Sequence, residues 1–321
     1  MDDRCGSVLV LTNPLDVTAD AVLRVLAERR VPVVRLDPGA DLHTGASLTA
    51  AYRTGGQRGA LRTASRVLDL GAVRSVWVRR ASPYEGPSEL DGQDRRFAAS
   101  QALWGAGGIL ASLPGAHYVN HPWANRAAEH KPAQLAAAQR CGFPVPDTVI
   151  TNDPREAREF VAAQATGAVY KPLWNTPYAV DGRPHAVWVR EVEPAEITDA
   201  VAACPHLFQA RVPKAFDARV TAVGDRLFGV RIDSPDLDWR RRQDRMACTP
   251  IDVPESVARS VAAYLGRLRL VYGAFDFAVT GSGAWYFLEC NPNGQWAWQP
   301  AATTDAIARA LADQLEKGPD S

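Results

Sequence analysis

The sequence predicts a mixed α/β (α+β) protein: a parallel βαβ layer at the start and a mostly antiparallel sheet at the end. Two observations carry this. Ser7 to Leu36 reads strand, helix, strand with short joints. After the breaker run Gly142-Phe143-Pro144-Val145-Pro146, strands become short and recur between turns and helices.

In order, Ser7 to Thr12 is a β-branched run ending at Asn13-Pro14, Ala19 to Arg30 is helical, and Val31 to Leu36 is a second strand. The turn after the first strand, Asn13-Pro14-Leu15-Asp16, lacks the glycines that let a backbone approach a pyrophosphate, so this unit reads as scaffold. Between Asp37 and Ala72 glycines interrupt the pattern, and short antiparallel strands such as Leu48 to Arg53 are expected. Ser75 to Arg80 alternates as a strand, Gln93 to Leu113 is helical, His117 to Asn120 is a strand, and one long helix is expected over Trp123 to Arg140.

Beyond the breaker, strands are expected at Thr148 to Thr151, Ala168 to Lys171, Ala186 to Val192, Leu207 to Val212, Ala218 to Val223 and Arg226 to Ile232. Helices fall at Pro154 to Ala163, Pro194 to Ala203 and Pro254 to Leu268. Ala274 to Thr280 and Ala284 to Cys290 flank the turn Gly281-Ser282-Gly283, and Thr303 to Leu315 closes the chain as a helix. The division is 1–120, 121–205 and 206–321.

Lysine plus arginine equals aspartate plus glutamate at 36 each, so bulk charge points to neither nucleic acid nor membrane. No apolar run approaches the roughly 20 residues that span a bilayer. The N-terminus has no basic segment ahead of an apolar stretch, and the five cysteines lack CxxC spacing, so a cytoplasmic protein is expected.

The chemistry concentrates late. Asp276 lies in the strand GAFDFAV and Glu289 in YFLECNPN, both among aromatic neighbours. Burying two carboxylates near each other is costly. A magnesium ion resolves it, with Asn291 as an amide ligand beside the sharp Asn-Pro-Asn-Gly turn. On the hairpin alone, arginine partners would serve equally well. Lys171 ends a buried-looking strand and Lys131 opens a helix; alone, Lys131 reads as a surface lysine, but beside a metal hairpin both suit nucleotide phosphates. Gln209-Ala210-Arg211-Val212 ends a strand where backbone groups can read an adenine edge, and Asp217 can accept from a ribose hydroxyl. Arg219 and Arg231 lie on adjacent strands of a hairpin turning at Gly224-Asp225, where solvent-facing arginines are the simpler account.

The order lysine, lysine, Gln-x-x-Val, Asp-x-Arg, lone Asp, Glu-x-Asn resembles the ATP-grasp superfamily over nearly the whole chain. Within it, VYKPL (169–173), FQARVPKAFDARVTAVGDRLFGVRI (208–232), Asp238-Trp239-Arg240 and FLECNPNGQW (287–296) resemble the ATP-grasp ribosomal-peptide maturases, or graspetide synthetases. The resemblance implies an ATP-grasp fold: an N-terminal βαβ pre-ATP-grasp domain, a central subdomain and a C-terminal ATP-binding antiparallel sheet. It implies a ligase using ATP and Mg2+ that joins a precursor peptide's side-chain carboxylates to hydroxyls or amines through an acyl phosphate, and it suggests a homodimer.

By that resemblance Lys131, Lys171, Gln209, Ala210, Arg211, Val212 and Asp217 hold ATP, while Asp276, Glu289 and Asn291 hold magnesium. Arg219 and Arg231 face the transferring phosphoryl group. Asp238, Trp239 and Arg240 lie in an irregular, strongly basic stretch suited to an acidic core peptide or to phosphates, with an exposed charge run the equally good account. His185, His121 and His130 are the candidates for a general base, with a solvated structural histidine the simpler account of each. The chain departs from the family by carrying Ala210 where a glutamate is usual, and by having one glycine in the loop after Lys171. The competing readings are a ligase adding a free amino acid to a peptide or protein, and a non-catalytic nucleotide- or peptide-binding protein.

Overall fold

A computed structural model describes residues 6–174 and 178–318. The chain opens with β1 (Ser7–Leu11), α1 (Val17–Glu28), β2 (Val33–Leu36) and the short α2 (Pro38–Asp41). An antiparallel layer follows, β3 (Ser47–Arg53), β4 (Gly56–Arg62) and β5 (Val67–Asp69), then β6 (Val73–Val78), α3 (Gly92–Leu110) and β7 (His117–Val119). The first sheet is parallel in the order β2-β1-β6-β7, as the βαβ opening predicts. Alternation sends Val8 and Val10 to one face and Leu9 and Leu11 to the other, where Leu61 and Leu110 cover them.

The single helix expected over Trp123 to Arg140 is two, α4 (Pro122–Ala128) and α5 (Lys131–Arg140). Pro132 has no N–H to give the Ala128 carbonyl and would crowd it. Gln134 takes that acceptor instead, its Nε2 donating to Ala128 O at 2.7 Å. The break puts Lys131 at the first position of a new helix.

The central unit contains β8 (Thr148–Thr151), α6 (Pro154–Ala163), β9 (Ala168–Lys171), the small hairpin β10 (Tyr178–Val180) and β11 (Arg183–His185), then β12 (Arg190–Val192) and β13 (His206–Ala210). Asp181 and Gly182 turn that hairpin with φ of 51° and 73°. The strand expected over Ala186 to Val192 is therefore confined to its last three residues. The helix expected over Pro194 to Ala203 is replaced by two 3-10 turns, Pro194–Glu196 and Asp199–Ala203. The β-branched pair Ile197-Thr198 is extended between them, and the Thr198 hydroxyl accepts from the Ala200 N–H. The sheet order is β12-β9-β13-β8, so the strand at 206–210 belongs to the central sheet rather than opening the last unit.

The last unit comprises β14 (Lys214–Val223), β15 (Arg226–Asp233), β16 (Ala247–Ile251), α7 (Glu255–Leu268), β17 (Tyr272–Thr280), β18 (Trp285–Asn291) and α8 (Ala301–Lys317). Its sheet is antiparallel, ordered β16-β15-β14-β17-β18. On one face Phe275, Phe277 and Phe287 pack with Phe143 and Tyr264 under α5 and α7. The terminal helix returns to the first sheet: Ile307, Leu311 and Leu315 share a core with Val22, Leu26 and Trp77. The first and last sheets are thereby joined into one body around that core. No helix among the described residues is long and apolar enough to cross a membrane.

Candidate functional site

The face of the last sheet opposite its aromatic core is charged. Arg219 on β14 stands directly across from Asp276 on β17, which stands across from Glu289 on β18. The three strands thus hold a cation and two carboxylates in one row, lining a cleft of about 1510 Å³ between this sheet and the central one. Arg219 Nη1 donates to Asp276 Oδ1 at 2.7 Å, and Lys131 Nζ donates to Glu289 Oε2 at 2.5 Å. Arg240, from a 3-10 segment at Trp239–Arg245, uses a single nitrogen on both acids: Nη2 donates to Glu289 Oε1 at 2.7 Å and to Asp276 Oδ2. Burial opposes charge on Glu289, but Lys131, Arg240 and Lys171 outweigh it and hold the carboxyl well below its usual range. Burial also opposes the Arg240 guanidinium, and Asp276 and Glu289 overcome it to raise the group above its ordinary value.

Asn291 ends β18 at the cleft wall, and its Oδ1 accepts from the Asn293 N–H at 2.9 Å. The turn that follows is pinned from three sides. Arg79 Nη1 donates to Asn293 O at 2.8 Å, Asn120 Nδ2 to Pro292 O at 3.1 Å, and the Tyr272 hydroxyl to Gly294 O at 2.6 Å. Gly294 is required for closeness: a Cβ there would lie 2.5 Å from Ala274 Cβ and 3.0 Å from Arg219 Nη2. Gln134 completes the support, donating to Cys290 O at 2.8 Å and accepting from its N–H at 3.1 Å.

Among the described residues no three His, Cys, Asp or Glu side chains form a metal-binding cluster. A metal in this row would therefore rest on two carboxylates and the Asn291 amide oxygen. That donor set suits magnesium, which binds few protein oxygens and leaves its other positions to phosphate and water. The guanidinium between the two acids shows that the row accepts a cation there.

Across the cleft, Lys171 ends β9 and is buried, 9% exposed. Burial pushes its ammonium down to about 8, with Glu289 pulling it back up. Its Nζ donates to Gln209 Oε1 at 3.4 Å, and Gln209 Nε2 donates to Thr148 Oγ1 at 2.9 Å. In the hinge the Ala210 N–H is committed to Asp147 O at 2.8 Å and the Arg211 N–H to Gly167 O at 2.9 Å. Arg211 is also paired with Glu191 at 2.6 Å. The Val212 N–H has no partner among the described residues, while its carbonyl accepts from the Lys214 N–H at 2.8 Å. Burial pushes Asp217 up to about 6 against the pull of Lys214, whose Nζ donates to Asp217 Oδ2 at 2.6 Å.

The structure thus gathers Lys131, Lys171, Gln209 to Val212, Asp217, Arg219, Asp276, Glu289, Asn291 and the Asp238-Trp239-Arg240 run around one cleft. It does not bring Arg231 there. Arg231 stands across from Ala218, one residue out of phase with Arg219, so its side chain leaves from the opposite face. There it stacks over Phe216 at 4.3 Å and pairs with Asp233 at 2.7 Å. Trp239 is buried, its ring 4.8 Å from that of Trp298, so its larger part is packing. His121 caps α4 and contacts Ala111 O, whereas His185 lines the cleft; His130 caps α5 and is outside the lining.

Sequence reasoning missed Lys214, Arg79, Asn120 and Gln134. Lys214 carried no signal, because on a regular strand i and i+3 leave on opposite faces; a bulge between Lys214 and Phe216 turns it back to Asp217. The others act from segments distant in sequence, which only the fold brings to the turn.

Residues 7–126 match the family described as the MvdD pre-ATP grasp domain. Among solved structures, the chain is similar to a RiPP-associated ATP-grasp ligase of Chryseobacterium gregarium, in complex with ADP and a leader and core peptide. That likeness has 25% identity, 97% of this chain and 96% of the other, and a TM-score of 0.87. The macrocyclase MdnC of Microcystis aeruginosa MRC, bound with its precursor peptide MdnA, is 26% identical over 96% of this chain and 98% of its own, with a TM-score of 0.84. The macrocyclase MdnB of the same organism is 28% identical over 98% and 100%, with a TM-score of 0.80. No curated protein matches the chain.

Proposed function

We infer that this chain, which belongs to the ATP-grasp ribosomal-peptide maturases, is an ATP-dependent ligase that joins side chains within a precursor peptide. The observation that carries the reading is the row Arg219–Asp276–Glu289 with Lys131 and Lys171 beside it in one cleft. Several cations and two carboxylates in one cleft suit a polyphosphate and its metal. The full-length likeness to peptide ligases and macrocyclases supports the peptide as substrate.

Asp276, Glu289 and Asn291 would hold magnesium, and Lys131 and Lys171 the phosphates. Val212 and Asp217 would hold the base and ribose. When bound, magnesium and ATP would supply the phosphoryl group that activates a peptide carboxylate as an acyl phosphate, ADP leaving, so that a hydroxyl or amine of the same peptide can displace phosphate from the acyl carbon to give an ester or amide. Arg219 fixes the orientation of Asp276 from within the sheet, so that the ligand carboxylate does not reorganise during the reaction. Lys171, largely buried in the cleft wall, would be strengthened by a phosphate because burial weakens solvent screening of its charge. The four described cysteines are free, which fits a reducing, ATP-containing cytoplasm.

Mass spectrometry of a short peptide encoded beside the gene, incubated with the protein, ATP and magnesium, tests this. The expected result is loss of one water mass per bond formed, dependent on ATP. An unchanged peptide that gains mass only when a free amino acid is added would replace the maturase by an amino-acid ligase.

A further inference from the structure

The two acids of the row share their oxygens in an ordered way. Asp276 gives Oδ1 to Arg219 and Oδ2 to Arg240, while Glu289 gives Oε2 to Lys131 and Oε1 to Arg240. Each carboxylate thus has one oxygen held by a cation from a strand or helix, and one held by the same loop guanidinium. The pair of inner oxygens bridged by Arg240 is the pair that a metal between the two acids would need. A guanidinium and a divalent ion cannot both occupy it.

The three cations also differ in freedom. The Arg219 side chain is 4% exposed and Lys131 19%, whereas Arg240 is 34% exposed. Arg240 comes from a 3-10 segment that is kinked at Arg242, not from the sheet. While it bridges the acids it also keeps partners within its own segment: Nη1 lies 3.4 Å from Asp238 Oδ1, and its guanidinium carbon lies 4.6 Å from the centre of the Trp239 ring. The Trp239 ring is itself fixed against Trp298. Arg240 can therefore leave the acids without being stranded as an unpaired charge.

We propose that Arg240 is a built-in counter-cation that fills the metal position between Asp276 and Glu289 and swings out toward Asp238 when a divalent metal binds. The proposal rests on the reading of this row as a metal site. It follows that the metal-free cleft avoids two facing, uncompensated carboxylates. Metal affinity is lowered by the work of displacing the guanidinium.

The test is a titration of the full chain with Mn2+ alone, without nucleotide, following free ion by electron paramagnetic resonance. Arg240→Met keeps an unbranched stem on Trp239 and removes the charge; Arg240→Gln is a second neutral variant should the first fold poorly. Both are expected to bind Mn2+ about tenfold or more tightly than the unaltered chain. Arg240→Lys, which keeps a competing charge, is expected to stay close to the unaltered chain. Glu289→Gln should weaken binding in every background, which locates the ion in this row. Neutral variants that bind no more tightly, while Glu289→Gln still weakens binding, overturn the displacement of Arg240 and leave the metal site standing. Mn2+ binding indifferent to Glu289→Gln overturns the metal site, and the inference with it.

Discussion

The two faces of the last sheet are made by the same strands and do opposite things. On β17, Phe275 and Phe277 face α5 and α7, while Asp276 between them faces the cleft. On β14, Ala218, Val220 and Ala222 face the aromatic core, while Asp217 and Arg219 face the cleft. Strand alternation alone separates them. One face contributes stability by burying rings, and the other spends some of it holding charges at fixed positions. A residue's phase on the strand therefore says which property its replacement should change.

The largest expected effect is on the charged face. Glu289→Gln keeps shape and removes the charge that a metal would need, so peptide-dependent ATP turnover should fall by roughly 10²- to 10³-fold. Stability should change little, because Lys131 and Arg240, its partners, both reach water. Thermal unfolding measured with turnover checks this. A Glu289→Gln protein that unfolds readily would show that the charged face is structural too.

Phe287→Ala is the reciprocal experiment. Its ring is fully buried, 5.4 Å from that of Phe143 and 5.6 Å from that of Tyr264. Truncation should cost about 3–5 kcal/mol of stability, read by denaturant unfolding. The folded fraction should retain nucleotide affinity within a few-fold, since no cleft contact is removed. A large loss of affinity in fully folded protein would break the separation of the faces.

Much of this sheet was legible in sequence because alternation is a local signal. GAFDFAV shows an acid flanked by rings, but the register set by the glycine-bounded turn would place Asp276 across from Leu288, and only a bulge between Asp276 and Phe277 brings it to Glu289. What stayed hidden is non-local. Arg240 lies in a segment with no periodicity, and nothing in Asp238-Trp239-Arg240 says that its guanidinium reaches both acids. Arg79 and Asn120 hold the turn after β18 from the ends of strands in the first sheet, more than 150 residues away in the chain. The helix break before Lys131 has a local signal in Pro132, set against alanine-rich flanks that favour one continuous helix.

The central sheet supplies a smaller effect with a defined pH signature. The folded Lys171 value of about 8 lies below the ordinary lysine value of 10.5. Below about pH 8 both folded and unfolded chains hold the proton, and the folded state bears the whole cost of burying the charge. As pH rises from there toward 10.5 the folded chain releases the proton first, so this group's contribution to stability becomes more favourable. Phosphates would reverse that shift. Binding of ADP with magnesium near pH 9 should therefore take up a fraction of a proton, seen by calorimetry in buffers of different ionisation enthalpy. The uptake should be lost in Lys171→Met, and its absence in the unaltered chain would place the phosphates away from Lys171.

The smallest expected effect is the sharpest test of phase. Arg219 and Arg231 sit on paired strands and look equivalent in sequence, yet Arg219 opposes Val230 and Arg231 opposes Ala218. Only Arg219 shares a face with Asp276. Arg231 is bound to Asp233 on the partly exposed far side, where solvent screens an ion pair. Arg231→Gln should leave peptide-dependent turnover within about twofold and the denaturation midpoint nearly unchanged. Arg219→Gln should do neither, because it leaves Asp276 without the partner that fixes one of its oxygens. A loss of turnover in Arg231→Gln comparable to that in Arg219→Gln would mean that the far face also meets substrate, and the division between the two faces would have to be redrawn.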